Sequence, residues 1–191
     1  DAAQEAIDRI AVDYDELPNV VHLDDAVAAG APKVWADATD NYAAEMRHGN
    51  AEASAAAFAK AAHVVALDLV NQRLAPTSLE PRSVLGSFEA GRVTLRMSTQ
   101  MPGGVRDTLC NEVLGWPTDK LRVVVGDVGG GFGMKTGAYP EDILVAYCTD
   151  QLKRPVKWVA ERSDEFLAAT HGRDISSHAE LALDANGKVL G

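Results

Sequence analysis

VVVGDVGGGFGMKTGAYPEDILVAYCTDQLKRPVKWVAERSDEF, residues 123–166, decides the fold class by the order of its parts. It opens inside KLRVVVGDV at 120–128, an apolar run that reads as a buried strand. A glycine-dense loop follows. Pro140 then stands at the first turn of a helix, PEDILVAYCTDQL, where its missing N–H leaves no bond unmade. RPVKWVAERSDEF returns to a strand. Strand, loop, helix and strand in succession predict layers of sheet and helix.

The loop, GDVGGGFGMKTG at 126–137, imitates a phosphate loop and fails its test. Counted from Gly129, the pattern G-x-x-x-x-G-K-[ST] puts Met134 where a glycine must let the amides wrap a phosphate. The dinucleotide pattern G-x-G-x-x-G ends on Met134 from Gly129 and on Thr136 from Gly131. A tight turn needs some glycine for positive φ, but the run Gly129–Gly131 exceeds that need. Such a run suggests that something approaches the backbone closely.

Outward from the loop, SVLGSFEAGRVTLRMSTQ (83–100) has two apolar alternations around EAGR and reads as a hairpin. GGVRDTLCNEVLGWP (103–117) reads as an amphipathic helix with Val105, Leu109, Val113 and Leu114 on one face, ended by Gly115 and Pro117. HVVALDLVNQRLA (63–75) reads as a long strand stopped by Pro76. NAEASAAAFAKAA (50–62) is an alanine-rich helix capped by Asn50, with Phe58 as its anchor. Further toward the N-terminus are a helix in AAQEAIDRI, a short strand in IAVDYDELP and a short helix in HLDDAVAAGAP with Gly30 as its stop. HAELALDANGKVLG (178–191) reads as the first strand of a hairpin around Asn186-Gly187. The expected class is α+β (mixed α/β).

The chain has 191 residues and a formal net charge of −10. Eleven acids and three bases lie in residues 1–50, so the acidity is concentrated there. Phosphate backbones want a basic face, so nucleic-acid binding is not expected. No apolar run has the length of a membrane span, and the acidic N-terminus has no secretory pattern. Cys110 and Cys148 stand alone, outside any zinc or iron–sulfur ligand spacing, and suggest reduced thiols in a cytoplasm. His22, His48, His63, His171 and His178 show no metal-ligand spacing. The chain opens on Asp1 and ends where another strand should begin, so a fragment of a longer polypeptide is expected.

Several motifs stand in one order: NQRLAPTSLEPR (71–82), STQMP (98–102), Gly-Gly-Phe-Gly-x-Lys (130–135), Tyr-Pro-Glu (139–141) and Arg-Pro-Val-Lys-Trp (154–158) with Glu-Arg beyond. Together they resemble the molybdenum-cofactor subunit of the xanthine dehydrogenase, aldehyde oxidase and aerobic carbon monoxide dehydrogenase family, over nearly the whole chain. The resemblance implies the C-terminal tail of a preceding small α/β domain at 1–32, a linker at 33–50, and the first part of the cofactor-binding domain at 51–191. It implies a holoenzyme that oxidises a C–H bond with water. Its cofactor is molybdopterin carrying molybdenum, in bacteria usually as the cytosine dinucleotide. Electrons then pass to 2Fe-2S clusters and FAD on partner subunits or domains, often in dimers of heterotrimers. The pterin and inorganic ligands hold the metal, so no protein ligand is expected.

By this resemblance Gln100 matches the glutamine that hydrogen-bonds a metal oxo or related ligand; otherwise it is a polar strand-end residue. Gly130, Gly131, Phe132 and Gly133 match the loop against the cofactor, where amides donate and small residues permit approach. Phe132 is either an apolar wall of the cavity or a core phenylalanine. Glu80 and Arg82 are architectural, as an ion pair or a backbone-binding corner. Arg162 either approaches substrate or forms a salt bridge with Glu161, Asp164 or Glu165. Thr136 stands where purine oxidases carry a glutamate, which argues against xanthine. The arginine-rich substrate loop and the general-base glutamate are expected beyond this chain; Glu141 and Glu165 do not replace that base. Aldehydes, N-heterocycles and carbon monoxide all stay open as substrates. The rival readings are a non-catalytic interaction module or relic that kept the fold, and a nucleotide-binding domain resting on the glycine loop alone.

Overall fold

The structure is a computed structural model and describes residues 2–191. In chain order the elements are α1 (Ala2–Ile7), α2 (Leu23–Ala26), α3 (Ala51–Phe58), β1 (His63–Asn71), β2 (Ser83–Glu89), β3 (Arg92–Met97) and α4 (Pro102–Asp107). A π-helical segment (Thr108–Leu114), a 3₁₀ turn (Thr118–Lys120), β4 (Leu121–Val124) and a second 3₁₀ turn (Met134–Thr136) follow. α5 (Pro140–Leu152), β5 (Val156–Val159), α6 (Arg162–Ala168) and β6 (Ile175–Leu183) complete the chain. The expected mixture of helix and sheet is what the chain forms. It divides into two compact units, 1–71 with 174–191, and 72–173.

In the first unit β1 and β6 form an antiparallel ribbon in register from His63↔Leu183 to Asn71↔Ile175. Asp184 to Gly191 folds back beyond it: Asp184 N–H donates to Lys188 O at 2.9 Å and Leu190 N–H to Ala182 O at 2.8 Å, with Gly187 at φ +80°. Asn50 caps α3 by accepting from Ala53 N at 3.0 Å, as its side chain predicts. The strand expected in IAVDYDELP does not form; residues 10–18 carry no regular structure. A strand is stable only where a neighbour takes its N–H and C=O groups, and no partner pairs with this acidic stretch among the described residues. Residues 33–50 also lack helix and strand, yet Asn41 organises part of them. Its Oδ1 accepts from Val34 N, and its Nδ2 donates to Ala26 O at 2.8 Å and Pro32 O at 3.0 Å.

The second unit is built on a four-stranded sheet of order β4-β3-β2-β5. β2 pairs antiparallel with β3 and β5, and β3 pairs parallel with β4. The β2–β3 turn places Ala90 at φ +47° and Gly91 at φ +81°, the double positive that matches the strand twist of a two-residue hairpin. Val84, Val93, Leu95 and Met97 from the sheet meet Val105, Leu109 and Cys110, and Val145 and Ala146 of α5, in one buried cluster. At Gly86 the sheet comes so near α5 that a Cβ would collide with the Thr149 side chain.

The helix expected over 103–117 changes period at its middle. Beyond Asp107 it widens to π, and its inward residues recur at five: Val105 with Cys110, Leu109 with Leu114. Val113, assigned to the core face by the α period, is therefore exposed, and Cys110 takes its place. Burial pushes the Cys110 thiol up from its ordinary range. Two expected strands are shorter than their apolar runs: β4 ends at Val124, and β5 ends before Glu161, whose N–H donates to Asp164 Oδ2 at 2.9 Å to start α6.

Candidate functional site

The glycine loop leaves β4 and returns to α5, and its path is set by contacts from the ends of β2 and β3. Glu80 precedes β2. Its Oε2 accepts from Gly129 N at 2.7 Å, Ser98 Oγ at 2.8 Å and Lys135 Nζ at 3.2 Å, and its own N–H donates to Gly129 O at 3.1 Å. Burial raises the Glu80 carboxyl, but the Gly129, Ser98 and Lys135 bonds outweigh it and hold the group below the usual range.

Lys135 is the buried counterpart. Its side chain is 0% exposed, and its three ammonium hydrogens go to Glu80 O at 2.8 Å, Glu80 Oε2 and Ser98 Oγ at 2.7 Å. A buried cation with every donor used is the arrangement in which burial costs least. The same residue's main chain grips the strand end opposite: Lys135 O accepts from Gln100 N at 2.8 Å and Thr99 Oγ1 at 3.0 Å.

Gln100 lies across this loop. Its Oε1 accepts from Gly133 N and Lys135 N, both at 3.2 Å. Two N–H donors on one atom fix it as the oxygen, so the amide orientation is not free to flip. The Nε2 and its two hydrogens have no acceptor among the described residues. The N–H groups of Gly130, Gly131 and Phe132 also have none, although Gly131 is buried. Four neutral donor groups on the loop and the carboxamide resting against it suit a ligand that presents acceptors, and none of them titrates.

The glycines serve this loop differently from expectation. A Cβ on Gly129 would come 2.5 Å from Glu80 Cβ, one on Gly130 2.9 Å from the Phe132 ring, and one on Gly131 would strike the Gln100 carboxamide. The three consecutive glycines thus admit the chain's own side chains. Gly133, at φ +88°, has open space where its side chain would be, as do Gly126 and Gly137 at the two ends of the loop.

Phe132 is 74% exposed and held at φ +49°, so its ring lies outside the core that the described residues form. Thr136 Oγ1 donates to Gly133 O at 2.8 Å and closes the loop on itself. Tyr139 OH donates to Met134 O at 2.6 Å, and accepts from Thr170 N at 3.2 Å.

Arg162 forms no ion pair with Glu161, Asp164 or Glu165. Its Nη1 donates to Ser78 O at 2.8 Å and its Nη2 to Leu79 O at 3.0 Å, so it braces the segment that carries Glu80. Each terminal nitrogen thus spends one of its two hydrogens on backbone. Arg82 does not pair with Glu80. It is buried, bonds Glu165 Oε1 at 2.9 Å and Glu141 Oε2 at 3.3 Å, and stacks 3.7 Å above the Tyr139 ring. Both glutamates set aside as general bases are thus tied to one arginine. Beside them Asp142 accepts from Tyr139 N at 3.0 Å, and burial raises its pKa to about 6.

Sequence reading missed the depth of Lys135 and the role of Ser98. The loop lysine carried only a motif, and nothing in its flanks signals burial. The signal that could have found the pair is Glu80 itself, the only acid between Asp68 and Glu89, although Arg73 and Arg82 stand nearer to it in sequence than Lys135 does.

Residues 34–191 match the molybdopterin cofactor-binding domain family. The chain is 33% identical to the carbon monoxide dehydrogenase large chain of Hydrogenophaga pseudoflava, over 99% of its own length and 25% of the relative's. It is 31% identical to the nicotine 6-hydroxylase large subunit of Paenarthrobacter nicotinovorans, over 100% and 23%. The crystal structure of quinoline 2-oxidoreductase from Pseudomonas putida 86 superposes with a TM-score of 0.87 at 31% identity, over 98% of this chain and 24% of that one. The chain thus spans about a quarter of the length of the relatives it matches.

Proposed function

The chain belongs to the molybdopterin cofactor-binding family of xanthine dehydrogenase, aldehyde oxidase and carbon monoxide dehydrogenase large subunits, and from that premise we propose that it forms one wall of the cofactor cavity in a molybdenum hydroxylase. The observation that carries the proposal is the Gln100 carboxamide, its oxygen committed to Gly133 and Lys135 and its Nε2 left to donate.

Molybdopterin, when bound, supplies a metal centre that takes two electrons from a C–H bond while water supplies the oxygen. Gln100 Nε2 offers that group a neutral, fixed donor. The N–H groups of Gly130, Gly131 and Phe132 offer further donors that cost no proton exchange. Gly133 leaves room beside them. The Phe132 ring shields the donors from water when a ligand or further polypeptide covers it. Arg162 holds the Ser78–Glu80 segment from behind.

The substrate class proposed is an aldehyde or an aromatic N-heterocycle. Relatives named for nicotine and quinoline support the heterocycle, and Thr136, spent on Gly133 O, leaves no loop carboxylate to hold a purine. The general base is assigned to polypeptide outside these residues, because Glu141 and Glu165 are both bound to Arg82. The cofactor is proposed in its cytosine dinucleotide form, with electrons leaving through 2Fe-2S and FAD partners in a cytoplasmic complex. Relatives named as large chains or large subunits support that assembly.

Expression of the full reading frame and dye-linked assay against a panel of aldehydes and N-heterocycles tests the reading. Oxidation of a panel member, lost in Gln100→Ala, is the expected result. A molybdenum-loaded protein that oxidises none of them would sink the catalytic assignment, and so would one whose turnover ignores Gln100.

A further inference from the structure

Beside Gln100 lies an ion pair between the buried Lys135 and the half-buried Glu80, and neither of its charged groups touches the carboxamide. Lys135 uses its main chain to hold Gln100 at both ends: its N–H reaches Gln100 Oε1, and its carbonyl accepts from Gln100 N. The position of that main chain is set by its ammonium, which is buried among Glu80 O, Glu80 Oε2 and Ser98 Oγ. Glu80 Oε2 also draws in Gly129 N at the other end of the loop. Both ends of the 129–135 loop therefore close on one carboxylate oxygen.

We infer that Glu80 and Lys135 are positioning residues whose task is to aim the Gln100 Nε2 donor, through the backbone of the glycine loop. This rests on the role proposed above for Gln100. The geometry distinguishes it from simple bracing. Arg162 and Arg82 brace the same region and reach no atom of Gln100. Among the described residues Lys135 alone is bonded both to Gln100 and to the carboxylate that fixes the loop's start. Residues that orient a liganding group through a hydrogen bond typically cost about 10–100-fold in activity when removed.

The test uses the full-length holoenzyme and the variants Glu80→Gln, Lys135→Met, Gln100→Ala and the double variant Glu80→Gln/Gln100→Ala. Steady-state kcat and KM, molybdenum content and amide hydrogen exchange over 129–136 are measured on each. Glu80→Gln keeps the shape and an acceptor oxygen for the loop donors, and Lys135→Met, which removes the buried cation itself, serves as the second variant should Glu80→Gln not fold. It is expected to lower kcat about 10–100-fold with KM within about threefold, and to speed exchange across 129–136 without altering exchange in α5. In the double variant the Glu80 change is expected to add less than about threefold to the loss from Gln100→Ala, since its effect has already been removed.

A Glu80→Gln loss that multiplies in full onto Gln100→Ala overturns the inference, as does unchanged exchange in the loop. Those results leave the role of Gln100 standing. A Gln100→Ala enzyme with undiminished turnover overturns both together.

Discussion

The carboxamide of Gln100 occupies the volume that a side chain on Gly131 would take, with Gln100 Cδ 2.5 Å from the place of its Cβ. Gly131→Ala therefore cannot leave Gln100 in place. The cost expected is about 1–3 kcal/mol, typical of overpacking, read by urea unfolding of the 191-residue chain. In Gln100→Ala the space is vacant, and the same glycine substitution should cost less than half as much. Equal costs in the two backgrounds would show that something other than Gln100 resists the methyl group.

Gly86 and Thr149 make the same kind of pair between sheet and helix. Gly86→Ala drives a methyl group into Thr149 Oγ1 and Val145, in a strand paired on both sides. Thr149 Oγ1 is buried without a hydrogen-bond partner. Thr149→Ala is expected to relieve most of the roughly 1–3 kcal/mol lost in Gly86→Ala. A double-mutant cycle by thermal or urea unfolding reads the coupling.

Asp142 gives the second unit a pH dependence of definite sign. Its carboxyl titrates at about 6 in the folded chain against 3.8 for the free group, first because burial disfavours the ion, with Glu141 adding to the rise and Tyr139 N–H and Arg82 opposing it. Between those two values the folded state keeps a proton that the unfolded state releases. The contribution of this group to stability therefore falls as pH rises through about 4 to 6, and the deficit persists above. Asp142→Asn should gain on the wild type by about 1–2 kcal/mol more at pH 7.5 than at pH 5. Urea unfolding at both pH values measures it, and a constant difference would rule out a raised pKa at Asp142.

Phe132 is held at φ +49° while its ring lies mostly in solvent. Phe132→Gly relieves the left-handed backbone and loses little burial. The chain's stability is expected to stay within about 1 kcal/mol of the wild type. Turnover of the full enzyme is expected to fall, because the proposed cover over the loop donors is gone. A loss of both together would return Phe132 to a packing role.

Much of the second unit was legible because its signals are local. Pro140 opened α5 where it should, and the alternation around EAGR gave the β2–β3 hairpin with both positive φ values at Ala90 and Gly91. The misreadings have a common physical origin in non-local terms. Val113 fell outside the core because the helix period changes after Asp107, which no periodicity of apolar residues announces. Residues 10–18 had a strand's composition but no partner in the described chain. At the site, motif order pointed to Gln100 and the loop, whereas the partners of Glu80, Arg82 and Arg162 could not be deduced. Three cations and the five acids Glu80, Glu141, Glu161, Asp164 and Glu165 admit many pairings, and only the fold brings Lys135 to Glu80, Arg82 to Glu141 and Glu165, and Arg162 to bare carbonyls.

The most direct measurement is the molybdenum and pterin content of the full-length protein, purified from a host that makes the cofactor. Stoichiometric metal and pterin, both reduced in a Gln100→Ala/Gly131→Ala variant that remains folded, is the result expected. A folded, full-length protein that carries neither metal nor pterin would contradict the account.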